Sequence, residues 1–189
     1  MTDPGPRKDL EHALKGAETI VAGVRAGQWD AATPCDGLDA RAVARHLADG
    51  LARFAALLRG SAPPPAADGS GDDPAAAFTA AAAELRAALK TPKVLDEVYK
   101  ATPKGRGVPG SLLAQVRTLE LLGHGWDLAR ATGQAADFGD DLTERVLAVA
   151  RLTLSARPEG PDAPYGPEVP VPDDAPAIDR LAGFLGRTV

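Results

Sequence analysis

Apolar residues recur at three- and four-residue intervals along most of this chain, the pattern of helices that each bury one stripe. The first such segment runs from about Pro6 to Ala26 and carries Leu10, Leu14 and Ile20 on one side. A second segment begins after Asp39, whose carboxylate can accept a hydrogen bond from a free amide of the first helical turn. The further predicted helices are about Ala40–Arg59, Pro74–Lys90, Ser111–Thr132, Asp140–Ser155 and Ala175–Gly186.

Three stretches interrupt this helical pattern. Residues 61–74 are rich in Pro, Gly and Asp, which predicts an exposed, flexible connection. Residues 91–110 are ambiguous between a short strand and a turn, and a proline-rich extended segment precedes the last helix. The sequence therefore predicts an all-α fold: a four-helix bundle with additional short helices in a single domain, residues 1–189, in which residues 157–189 form a tail that wraps the bundle.

Composition and charge narrow the possible functions. The chain has 189 residues, 44% of them hydrophobic, and a net charge of −5 with no cluster of Lys or Arg, which argues against nucleic acid as a partner. It has no apolar run long enough to cross a membrane, and its N-terminus does not resemble a secretory signal. A single cysteine excludes an intramolecular disulfide. We expect a cytoplasmic protein that does not contact membranes.

Candidate chemistry lies on two of the predicted helices. Glu120 and His124 are four residues apart, so both project from one face of the fourth helix, which also carries Leu113 and Val116 and is predicted to point into the bundle. His46 lies on the predicted core stripe of the second helix. A carboxylate and two imidazoles that converge from two helices suit a divalent metal such as zinc and leave one coordination position open.

Each of these residues also has an ordinary structural explanation. A Glu-x-x-x-His pair is often a surface hydrogen bond, and a histidine inside a helix is often a satisfied core residue. Asp127 either orients a metal-binding His124 or pairs with an arginine. Arg53 either binds an anionic substrate or neutralises nearby acids.

Cys35 lies in the turn TPCDG, just before the second helix, and has no histidine beside it in sequence. A cysteine nucleophile needs such a neighbour or a helix N-terminus to lower its pKa, so packing is the favoured role of Cys35. The sequence contains no glycine-rich phosphate loop, nucleophile elbow or dinucleotide-binding fingerprint.

Three stretches together resemble a known family. They are TPCDGLDARAVARHLADG (Thr33–Gly50), LELLGHGWDLARATGQ (Leu119–Gln134) and YGPEVPVPDDAPAIDRLAGFLGR (Tyr165–Arg187). They are similar to mycothiol-dependent maleylpyruvate isomerase-like proteins of actinobacteria, in the DinB-like superfamily of four-helix bundles, and most of all to an uncharacterised subgroup with this tail. The resemblance implies a zinc ion or another divalent metal bound by His46, Glu120 and His124.

The resemblance also implies a function. We expect a metal-dependent enzyme that uses the low-molecular-weight thiol mycothiol as cosubstrate and acts on a small electrophile, either transferring the sulfur to it or isomerising it. Asp127 and Arg53 are the expected catalytic-site residues, as a metal-ligand orienter and an anion contact. Two alternatives stay open: a hydrolase that uses zinc-bound water, and a bundle that binds a metal or ligand without catalysis.

Overall fold

Helices dominate the structure, a computed structural model that describes residues 5–65, 73–101, 105–154 and 165–189. Within those ranges a short 3-10 turn, Ala26–Gln28, follows the first helix, and two short strands precede the fourth. The α-helices are α1 Pro6–Ala22, α2 Ala40–Leu58, α3 Pro74–Leu89, α4 Gly110–Thr132, α5 Asp140–Thr153 and α6 Ala177–Phe184.

The first four helices form a bundle. Helix α4 packs against α1 and α2, and α3 packs against α2 and, less extensively, α1. The predicted apolar stripes form its interior, where Leu10, Leu14 and Leu122 are completely buried. Each buried leucine contributes about 1.5–3 kcal/mol relative to an exposed one, so this interior positions the helices firmly. The predicted all-α bundle is confirmed.

Some predicted helix ends are right and others are wrong. The Asp39 carboxylate accepts a hydrogen bond of 2.8 Å from the Ala42 amide and starts α2, as predicted. Gly133 adopts a left-handed backbone with φ 68° and ends α4. Helix α1, however, ends at Ala22 and not near Ala26. The Ile20 carbonyl accepts hydrogen bonds from the Gly23 amide at 3.1 Å and from the Gln134 side-chain amide at 3.0 Å, in place of the bond from the residue 24 amide that a longer helix would make.

The ambiguous stretch before α4 contains a small hairpin. Strands β1 Val98–Lys100 and β2 Gly107–Pro109 pair antiparallel, with Tyr99 opposite Val108. The Tyr99 hydroxyl donates a hydrogen bond of 2.7 Å to the Val94 carbonyl and closes the preceding turn. This hairpin leads directly into α4 and so fixes where that helix begins.

The C-terminal segment returns to the bundle and ends beside α4. Part of it, residues 155–164, lies outside the described residues, as does 66–72 of the predicted connection. From Tyr165 the chain runs along α6, where the Val169 amide donates to the Gly183 carbonyl at 2.9 Å. Helix α6 begins at Ala177, later than predicted, and packs against α5 and α4. None of the helices in the described ranges has the length and apolar character needed to span a membrane.

Candidate metal centre

Two histidines from different helices meet where α2 and α4 pack together. The rings of His46 on α2 and His124 on α4 are 4.8 Å apart between centroids and lie at 76°, an edge-to-face arrangement. His46 is exposed and the His124 side chain is 13% exposed, so the pair lies at an opening of the bundle and not in its interior. The structure thus brings together two of the three predicted ligands.

A buried carboxylate fixes the orientation of His124. Asp127 lies one turn further along α4, is fully buried, and has its Oδ2 atom 3.1 Å from His124 Nδ1. Arg187, near the C-terminus, donates to both oxygens of the same carboxylate, at 3.2 Å from Nε and 2.9 Å from Nη2. If His124 Nδ1 carries the proton of this hydrogen bond, a metal can bind at Nε2 by displacing the second ring proton and the hydrogen bond with Cys35.

The charges around these groups shift their pKa values. Burial would lower the pKa of His124, but the hydrogen bond to Asp127 and the neighbouring Cys35 thiol outweigh it and raise the pKa of His124 to about 9. Burial alone would raise the pKa of Asp127, yet His124 and Arg187 hold it below its usual value. Partial desolvation and the positive charge of His124 lower the pKa of His46.

The third predicted ligand, Glu120, is paired with an arginine. Arg117, three residues earlier on α4, donates from Nη2 to Glu120 Oε1 at 2.7 Å. Its Nη1 atom lies 2.5 Å from the buried Oε2 in an ion-pair contact that lacks hydrogen-bond geometry. Gly50 on α2 makes room for this guanidinium, because a Cβ atom there would collide with Arg117 Nη1.

A tyrosine from the C-terminal segment completes this side of the site. Burial, and then the negative charge of Glu120, raise the pKa of Tyr165. Its phenol therefore stays protonated at neutral pH and can donate a hydrogen bond. Tyr165 and Arg187 bound the third sequence stretch discussed above, and the structure places both ends of that stretch at the site.

Cys35 lies closer to this cluster than its sequence context suggests. In the ranges that the structure describes, Cys35, His124 and Asp127 are the one group of three metal-ligating residue types whose donor atoms all lie within 4.8 Å of one another. His46, Glu120 and His124 do not form such a group within the same ranges. Asp127 is a poorer candidate ligand than Glu120, because it is fully buried and its oxygens already contact both Arg187 and His124.

The structure places Arg53 and Val116 differently from the sequence prediction. Arg53 is exposed on α2, and the arginine beside the predicted ligands is Arg117. Val116 was expected to point into the bundle with Glu120, but it is 38% exposed. That face of α4 lies at the edge of the bundle, and the opposite face, with Leu121 and Leu122, fills the interior.

Sequence reasoning missed three residues that contact this site. Arg117 carries a usable signal, since it is three residues before Glu120 on one helix face. Tyr165 and Arg187 carry no signal from spacing, because they reach the site only through the path of the tail; the resemblance of the stretch that they bound is the one hint of their position. The sequence favours a packing role for Cys35 because the proximity of Cys35 to His124 depends on how the turn before α2 packs against α4.

Comparison with known proteins identifies the family of this chain. Residues 10–129 match the family model of the mycothiol maleylpyruvate isomerase N-terminal domain, and this match covers more than half of the chain. The chain belongs to this family. The sequence-based assignment to mycothiol maleylpyruvate isomerase-like proteins is thereby confirmed.

Two proteins of Mycobacterium tuberculosis are similar to this chain over almost its whole length. The uncharacterized proteins MT0763, from strain CDC 1551, and Rv0738, from strain H37Rv, are each 36% identical to it over 179 residues, 95% of this chain and 96% of theirs. Two crystal structures have a similar fold, those of the mycothiol-dependent maleylpyruvate isomerase and of its histidine-to-alanine mutant. Each matches this chain with a TM-score of 0.57 and 20% sequence identity, over 78% of this chain and 71% of the other. These structures support the DinB-like helical fold.

The side chains present fit a divalent metal of the kind that the resemblance implies. Imidazole and carboxylate donors are the ligands of catalytic zinc, and His46, His124 and Glu120 supply three of them at one opening of the bundle. The buried Glu120 Oε2 accepts no hydrogen bond from the described residues, so it retains lone pairs for a cation. Glu120 would have to exchange its contact with Arg117 for the metal.

Proposed function

We propose that this protein is a metal-dependent enzyme that uses mycothiol to modify a small electrophile. One observation carries the proposal: the edge-to-face pair of His46 and His124, in which Asp127 holds His124 by its Nδ1 atom. Family membership supports the thiol, since the family is named for a mycothiol-dependent isomerase. The proposed metal ligands are His46, Glu120 and His124.

The residues around the proposed metal ligands have different proposed roles. A bound zinc ion would lower the pKa of a thiol beside it, so that a thiolate is available at neutral pH. Asp127 is a positioning residue that fixes the tautomer and ring orientation of His124. Arg187 keeps Asp127 ionised and in place. Arg53, exposed on the same helix as His46, is our proposed contact for an anionic group.

The reaction class follows from the chemistry of a thiol with an electrophilic carbon. The thiol gives up its proton to solvent and its sulfur forms a bond to the carbon. If a leaving group departs with the electron pair of its own bond, the product is a thioether. If the sulfur adds to a conjugated double bond and departs after the former double bond has rotated, the product is the other geometric isomer and the thiol is regenerated.

Metal content tests the proposal first. We expect about one zinc per chain after reconstitution, by elemental analysis, and loss of that zinc in His46→Ala or Glu120→Ala with helix content unchanged. His12→Ala is the matched control, because His12 is exposed on α1, away from the site, and should retain the metal. Equal zinc content in His46→Ala and His12→Ala would contradict the proposed ligand set.

Turnover then separates the three candidate functions. The proposed enzyme consumes an electrophile only when both mycothiol and the metal are present. A zinc hydrolase would act on its substrate without mycothiol. A non-catalytic bundle would bind the metal and show no thiol-dependent loss of any electrophile in a panel that includes halogenated and maleylpyruvate-like compounds.

A further inference from the structure

An apolar groove runs between α4 and α5 and opens beside the proposed metal site. Its cavity volume is about 660 Å³, within the roughly 300–1,000 Å³ of small-molecule pockets. Glu120, one of the proposed ligands, and Tyr165 lie in its wall, so the groove reaches the edge of the proposed metal site. The apolar side chains that line it are Leu112, Val116, Leu119, Val146, Val149 and Leu154.

Charge within the groove is already neutralised. The lining residues Asp9 and Arg145 form an ion pair of 2.7 Å, and Glu120 is paired with Arg117. A carboxylate ligand would have to compete with Asp9 for Arg145 and would lie near the negative charge of Glu120. An uncharged ligand avoids this electrostatic cost. It gains binding free energy by covering the apolar surface of Leu112 and Val116, which are 41% and 38% exposed.

We propose that this groove binds uncharged, apolar small molecules and that it holds the apolar part of the substrate. The second half of this inference rests on the proposed function. The substrate's electrophilic carbon lies at the Glu120 and Tyr165 end, where the protonated Tyr165 phenol can donate a hydrogen bond to a polar atom of the substrate. The remainder of the molecule extends along α4 and α5.

A binding experiment tests the groove without metal or thiol. The probe is the uncharged fluorophore N-phenyl-1-naphthylamine, titrated against the full chain in the presence of a chelator. Val149→Glu places a charge inside the groove and should weaken binding by at least about tenfold, since a buried charge without a partner is costly. Leu152→Glu is the matched control on the same helix, because Leu152 is 81% exposed and does not line the groove, and it should bind the dye like the unaltered protein.

The ligand class is tested by displacing the dye. Benzyl alcohol should displace it, and benzoate, of similar size but charged, should need about tenfold more ligand. Equal displacement by benzoate, equal dye binding by the two glutamate variants, or no dye binding at all would overturn the groove as an apolar site. Circular dichroism of both variants shows that they remain folded.

The substrate role is tested separately by turnover with mycothiol and zinc. Across 1-bromoalkanes from ethyl to hexyl, KM should fall about three- to fourfold for each added methylene, which corresponds to the burial of about 0.8 kcal/mol. The trend should vanish in Val149→Glu and persist in Leu152→Glu. A trend that persists in both variants would overturn the substrate role of the groove. Absence of turnover with every electrophile would instead overturn the proposed function, and the dye experiments would still decide whether the groove binds apolar ligands.

Discussion

At the scale of single residues, the buried pair of Asp127 and Arg187 connects the fold to the chemistry. Asp127 is 0% and Arg187 8% exposed, so neither charge is stabilised by water. Asp127 contacts His124 on one side and the C-terminal segment on the other. The residue that orients a proposed ligand therefore also fastens the tail to the bundle.

Removing the arginine from this pair should be costly. We expect Arg187→Ala to lower the free energy of unfolding by about 3–5 kcal/mol, because it leaves Asp127 buried without its main partner. Arg59→Ala is the control, since Arg59 and Glu84 form an exposed ion pair of 3.0 Å that contributes about 0–1 kcal/mol. Urea denaturation measures both. If Arg187→Ala costs no more than Arg59→Ala, the ion pair does not have the role assigned to it.

At the scale of elements, the tail depends on a close contact between two glycines. Gly186 has φ +87°, and a Cβ atom there would lie 2.7 Å from Gly166 Cα. This contact places Tyr165 and Arg187 side by side at the proposed site. The left-handed backbone and the lack of space both require glycine at position 186.

A methyl group at this position should loosen the tail. We expect Gly186→Ala to destabilise the protein by about 2 kcal/mol, the cost of a left-handed alanine plus the displaced backbone, and to speed hydrogen exchange in residues 165–187. Gly27→Ala offers a comparison, because Gly27 has open space around its Cα and an ordinary φ. Exchange in the tail that is equally fast in both variants would show that the glycine contact does not hold the tail.

The sequence was most informative for elements whose determinants are local. Apolar periodicity, the Asp39 cap and the Gly133 end predicted the helices within a few residues, because each depends on neighbours along the chain. The predicted end of α1 was wrong, and one of the hydrogen bonds at the actual end comes from Gln134, far away in sequence. The same limit applies to the site: the Glu120 and His124 face was visible, whereas Cys35, Tyr165 and Arg187 reach it through tertiary packing.

At the scale of the whole molecule, we propose that residues 1–189 fold as one domain. Helix α6 packs on α4 and α5, and the Trp126 indole on α4 donates a hydrogen bond of 2.7 Å to Asp179 on α6. The tail and the bundle therefore share buried contacts and should unfold together.

Trp126 makes this proposal measurable. In Trp29→Phe, the remaining tryptophan, Trp126, reports on the docking of α6, while far-ultraviolet circular dichroism reports on the helices as a whole. We expect the two signals to give the same urea midpoint. A fluorescence transition at clearly lower urea would mean that the tail undocks first and that the chain has two cooperative units.

X-ray absorption at the zinc edge tests the central claim most directly, because it distinguishes the proposed ligands from the Cys35, His124 and Asp127 group. On zinc-reconstituted protein without added thiol, we predict only nitrogen and oxygen neighbours at about 2.0–2.2 Å, with a spectrum unchanged in Cys35→Ser and lost with the metal in His46→Ala. A sulfur neighbour at about 2.3 Å that disappears in Cys35→Ser would contradict the assignment of His46, Glu120 and His124 as the metal ligands.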